Sequence, residues 1–252
     1  MIELILWIVV AAFIMELVDS TIGGGFGTVL SPLLLLSGFE PLIVVPAILL
    51  SEIFTGFAGG FFHQTFKNVD IRNDEKPRSS LRILIITGLL GSVVAVFLSI
   101  SLPSIVVKTY IALLVIFMGI LVLLTRNGEP VYREDRIWGL GLLSAFNKGI
   151  SGGGYGPIVV SGQLLSGLDS KASVAVTSIA EAATCVFSLI IYAMTGNFDI
   201  VSITVSICLG AIFATPLSAF GVSKVKHKRL RHLVGIGTLA IGAYTLIKLI
   251  LG

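Results

Sequence analysis

The run Gly23-Gly24-Gly25-Phe26-Gly27 returns as Gly152-Gly153-Gly154-Tyr155-Gly156, 129 positions later (residue 152 against residue 23), and the correspondence continues without a gap. At that offset Leu35-Leu36-Ser37-Gly38 meets Leu164-Leu165-Ser166-Gly167, Glu52 meets Glu181, Thr55 meets Thr184, and Asn68-Val69-Asp70-Ile71 meets Asn197-Phe198-Asp199-Ile200. A chain this self-similar is two copies of one unit, and its fold must house both in the same element order. Each copy reads as one apolar helix, the glycine motif, a short helix ending at Ser37-Gly38 or Ser166-Gly167, and three long helices separated by turns. The copies span 1–126 and 137–252 within one integral membrane domain. The polar stretch 127–136, with Gly128, Pro130 and mixed charges, joins them as a cytoplasmic linker.

Those helices belong in lipid. Leu81–Ile100, Tyr110–Leu124 and Ile200–Phe220 each approach the roughly 20 apolar residues that a helix needs to cross about 30 Å of hydrocarbon. Over 252 residues only 12% are charged and the mean hydropathy is +1.02, which excludes a soluble domain. Alternating strand patterns are absent, so the backbone satisfies itself within helices and not within a barrel. Ile2–Ile22 has neither a basic leader nor a small-residue cleavage site and reads as a retained span. The net charge of +3 does not point to nucleic acid, because the basic residues flank apolar spans and lack interleaved aromatics. Cys185 and Cys208 lie in apolar stretches and imply neither a disulfide nor a metal site.

Lys and Arg cluster in Lys67–Arg82 and in Lys224–Arg231, while the equivalent loops of the other copy, Gly196–Asp199 and Ser101–Lys108, carry almost no charge. With both basic loops in the cytoplasm, the two copies have opposite orientations, and the first helix and short helix of each form a re-entrant hairpin tipped by the glycine motif. The expected fold is therefore an all-α polytopic membrane protein of two inverted-topology repeats, each a Gly-tipped hairpin followed by three long transmembrane helices. Helical rise sets the depth: about 20 Å from Gly38 back to Gly25, and about 16 Å forward from Pro41 to Glu52. Both tips and both carboxylates, Glu52 and Glu181, converge on one zone in mid-membrane.

A short helix that starts in mid-membrane aims unsatisfied N–H groups and the positive end of its dipole at the centre, and glycine lets an anion approach that backbone closely. The substrate-binding candidates are Gly23, Gly24, Gly25, Gly27 and Thr28 on the first tip, and Asn147, Lys148, Ser151, Gly152, Gly153, Gly154 and Gly156 on the second. Ser20, Thr21 and Gln163 are nearby polar groups that suit an oxyanion. The same glycines also serve close helix packing in a bundle. Lys148 is the one deep cation, and its partner is either the transported anion or Asp19, its equivalent in the first copy. Glu52, Glu181 and Asp19 are the candidates for coupling to protons, with pairing across the repeat interface as the structural alternative. Glu16, one turn from Asp19, is expected towards the external vestibule, and His63, His227 and His232 towards loop surfaces.

GGGFG and SGGGYGP at Ser151–Pro157, each followed by a short helix ending in Leu-Leu-Ser-Gly, resemble the sulfite exporter TauE/SafE family over the whole chain. That resemblance implies an inner-membrane, multi-pass permease for sulfite, sulfonates such as sulfoacetate, or related small anions, with the two glycine motifs, Asn147 and Lys148 as its site residues. It implies no cofactor, metal or nucleic acid. Its partners are a small anion, the lipid bilayer and protons, and its apolar outer faces suit lipid or a second copy in a homo-oligomer alike. The expected activity is secondary active transport by alternating access. An anion channel shares the architecture and differs in conductance. A membrane-embedded enzyme using Glu52 and Glu181 is disfavoured, since the chain has no HExxH pair.

Overall fold

In a computed structural model, residues 5–22, 26–124, 132–198, 202–222 and 227–251 are described. They form ten helices: α1 Leu6–Ile22, α2 Phe26–Leu36, α3 Pro41–Thr65, α4 Glu75–Ser101, α5 Ser104–Leu124, α6 Glu134–Ser151, α7 Tyr155–Leu165, α8 Ser170–Met194, α9 Ser202–Val222 and α10 His227–Leu251. The expected order of long, short and three long elements is thus observed twice. Among the described residues, segments of α3, α4 and α8 are long and apolar enough to cross a membrane. Residues 134–136 already belong to α6, whose first turn carries Glu134 and Asp135, charges that suit a helix N-terminus.

Local chemistry explains why the helices stop where they do. After α2, Gly38 takes φ 95° and the Phe39 amide bonds back to the Leu34 carbonyl; after α7, Gly167 takes φ 88° and Leu168 bonds back to Gln163. The repeated Leu-Leu-Ser-Gly is therefore a repeated glycine-terminated helix end. Asp74 and Asp169 accept amide hydrogen bonds in the first turns of α4 and α8, satisfying donors that the helix itself cannot.

The two copies interlock. Helix α1 packs on α9 and α4 on α6; α3 packs on both α8 and α9; α8 packs on α4; and α5 packs on α10. Exchanging every helix for its counterpart in the other copy turns this set of pairings into itself. One buried cluster joins Ile8, Phe26, Leu30, Ile48, Ile111 and Ile207, so the first hairpin is enclosed by α3, α5 and α9. Another joins Leu84, Ala145, Tyr155, Val159 and Val176, enclosing the second hairpin between α4 and α8. Removing these side chains from a polar phase, or packing them densely within lipid, holds each broken helix at a fixed depth in the bundle.

Candidate functional site

The second tip is ordered by its own backbone. Helix α6 ends with the Gly152 amide bonded to the Lys148 carbonyl at 2.8 Å, and Gly152 (φ 71°) and Gly154 (φ 76°) both occupy the left-handed region, which L side chains enter only at a cost. Gly153 is required for a different reason. A Cβ there would lie 2.6 Å from the Thr28 nitrogen, and one on Gly27 would collide with the Gly152 carbonyl. The two tips therefore meet backbone to backbone. Residues 23–25, three of the five residues of the first motif, lie outside the described residues, as do the side chains of Ser20 and Thr21.

In this conformation three amides of the tips, among the described residues, already have acceptors. Gly153 N–H donates to Ser151 Oγ at 3.0 Å, and Gly154 N–H donates to Thr28 Oγ1 at 3.0 Å. On the first tip Phe26 N–H donates to Asp19 Oδ1 at 3.2 Å. Hydroxyls and one carboxylate occupy the places that the sequence assigned to an anion. Gly156 is buried in the first turn of α7.

Lys148 is fully buried, and its ammonium donates to Glu181 Oε1 at 2.7 Å while ion-pairing with Glu52 Oε2. Three elements supply this triad: α6, α3 and α8. Of the two partners expected for Lys148, Asp19 is not the one in contact; it adds an attraction from further off and serves the start of α2. The two glutamates take its place because the α3–α8 crossing brings equivalent positions of the two copies together over the end of α6. Cys185 Sγ lies 3.7 Å from Glu52 Oε2. A small cavity beside the triad is lined by Glu16, Asp19, Glu52, Thr55, Gly56, Ser178 and Glu181, with ≈ 10 Å³ open to water-sized occupants. That is about the room one water needs. The walls hold four carboxyl groups, two of them paired with the one ammonium.

Three further positions differ from expectation. Glu16 is buried and lines this cavity, not an external vestibule. His63 is fully buried, with Nδ1 3.1 Å from Asn68 Nδ2, because the chain after α3 folds back over it. Gln163 turns away from the tips and bonds Thr177 at 2.9 Å. The side chains of His227 and His232 lie outside the described residues. Tyr110, which the sequence did not single out, donates its hydroxyl to Asn147 Oδ1 and so orients the amide next to Lys148. Thr55 was visible only as a position matched by Thr184.

The profile of the family described as "Sulfite exporter TauE/SafE" matches residues 8–245. The chain is also similar to a Bacillus subtilis (strain 168) protein described as "Probable membrane transporter protein YtnM", 31% identical over 259 aligned positions that cover 96% of this chain and 83% of that protein. No solved structure matches the chain.

Proposed function

The chain belongs to the sulfite exporter TauE/SafE family and is a membrane transporter, and on that premise we propose that it is a secondary permease for a sulfur oxyanion or organosulfonate such as sulfite or sulfoacetate. The anion is held between the two Gly tips, beside Lys148. One inverted repeat rocks against the other to open the site alternately to each side of the inner membrane, with the basic loops in the cytoplasm. Protons accompany the anion through Glu52 and Glu181.

The observation that carries this reading is the meeting of the tips at a buried lysine. Thr28 bonds Gly154 at 3.0 Å, and Lys148, in the last turn of the preceding helix, has no exposure to solvent. A buried cation at two helix breaks is costly to maintain in a purely structural bundle and suits reversible anion binding. The symmetric helix pairing supports rocking of two equivalent units. The small volume of the central cavity supports a carrier caught closed over an open channel.

The test is flux of sulfite and of sulfoacetate into proteoliposomes holding the purified protein. Uptake above that of empty vesicles is expected, with Lys148→Ala and Gly154→Leu each abolishing it. Wild-type uptake that both changes leave intact would overturn the assignment of the site. Ohmic conductance in planar bilayers would replace the carrier with a channel.

A further inference from the structure

Among the described residues, the Lys148 ammonium and three amides of the tips are held by acceptors belonging to the protein. Lys148 Nζ is held by Glu181 at 2.7 Å and by Glu52; Gly153 and Gly154 N–H are held by Ser151 and Thr28; Phe26 N–H is held by Asp19. The neighbouring cavity, lined by both glutamates, has room for about one water, too little for an anion to join Glu52 and Glu181 there. It can only replace something already there. We propose that the Glu52 and Glu181 carboxylates are tethered stand-ins for the transported anion, so that each negative charge of the anion enters only as one of them takes up a proton and releases Lys148.

The charge balance follows directly. In the empty carrier Lys148 faces ionised carboxylate. Upon loading, H⁺ binds a carboxylate oxygen, the acid becomes neutral, and the anion's charge takes its place against the ammonium. On the other side the anion leaves, the proton leaves, and the carboxylate returns to Lys148. The empty and loaded centres carry the same charge, so a complete cycle moves none. Asp19 of α1 and Cys185 of α8 also act electrostatically on Lys148, Glu16 of α1 shares the neighbouring cavity, and Tyr155 of α7 is buried near Glu181 and Cys185. The ion pairs of the ammonium are with Glu52 and Glu181, and the exchange is assigned to those two glutamates. Two carboxylates match a dianion with two protons.

This inference rests on the transport reading, and one preparation separates the two. Proteoliposomes containing a trapped pH dye are given sulfoacetate under a potassium-valinomycin clamp. Expected are internal acidification with uptake, an accumulation ratio that follows the pH gradient, and no response to membrane potential. An uncompensated charge would instead shift accumulation roughly fifty-fold per 100 mV. Glu181→Gln and, separately, Glu52→Gln should each move fewer protons per sulfoacetate taken up than the wild-type protein. Uptake without proton movement, or with that full voltage response in the wild-type protein, overturns the stand-in role and leaves transport standing. Absence of both sulfoacetate and sulfite uptake in the wild-type protein removes the transport reading, and this inference with it.

Discussion

Thr28 Oγ1 accepts the Gly154 amide at 3.0 Å, joining residues 126 positions apart; one hydroxyl latches the first broken helix to the second. Both partners are buried. Thr28→Val keeps the shape and leaves the Gly154 N–H without its acceptor, a loss of about 1–3 kcal/mol for a buried donor. Thr28→Ser keeps the acceptor and loses only a methyl group. Thermal unfolding in detergent should therefore rank wild type near Ser and clearly above Val. Equal melting of Val and Ser variants would mean that the methyl packing, not the latch, matters at this position.

Lys67 holds φ 57° at the end of α3, where the Asn68 amide bonds back to His63 at 2.8 Å. Its counterpart, 129 residues on, is Gly196 at φ 72°, with Asn197 bonded back to Tyr192 at 2.9 Å. The first copy thus builds with a lysine the same left-handed end that the second builds with glycine. A side chain there costs roughly 1 kcal/mol. Lys67→Gly should raise the melting temperature, and Lys67→Ala should not, because alanine keeps the Cβ that causes the strain. A gain from both substitutions would point to charge instead of backbone.

The features legible in the sequence are those with a local cause. Leu-Leu-Ser-Gly marks a helix end because the left-handed glycine and its returning amide involve only six residues. Glu52, Glu181 and Lys148 fall at one depth because helical rise converts chain position into height. What the sequence hides depends on directions across the interface between copies. Asp19 and Lys148 occupy equivalent positions, yet equivalence under a two-fold exchange is not contact, and Asp19 serves the Phe26 amide. His63 looks exposed, five residues before Asn68 in a polar stretch, because nothing in the spacing says that the chain folds back to cover it. The saturation of the tip amides was hidden as well, since an acceptor such as Thr28 is recognisable only once the partner helix is in place.

Glu40, just before α3, offers a pH test outside the membrane spans. Its carboxylate accepts from Lys108 Nζ at 2.8 Å and from Ser104 Oγ, and these bonds, Lys108 first, hold it below the ordinary carboxyl value of 4.5. A carboxyl lowered in the folded state stabilises above its unfolded value, and that contribution disappears as pH falls through the folded value. Glu40 is exposed and Lys108 partly so, so the effect is under about 1 kcal/mol and weakens with salt. Glu40→Gln should melt slightly below wild type at neutral pH in low salt. The gap should close in acid below the usual carboxylate range. A gap that persists there would mean that the glutamate acts through packing.

Cys185 can report whether the centre opens. Its thiol is fully buried, with Sγ 3.7 Å from Glu52 Oε2, beside a cavity with ≈ 10 Å³ for water. No thiol reagent reaches it in this conformation. A carrier must nonetheless expose Lys148, and with it Cys185, to each side in turn, on the microsecond-to-second scale of such transitions. In a Cys208→Ala background, where Cys185 is the one remaining thiol, a membrane-impermeant sulfonated methanethiosulfonate should label it slowly from either face of sealed vesicles. Sulfoacetate should slow that reaction further, because an anion on Lys148 fills the space that the reagent needs. Labelling confined to one face would mean that the repeats do not exchange access, while labelling as fast as that of a free surface cysteine would mean that the centre is not closed.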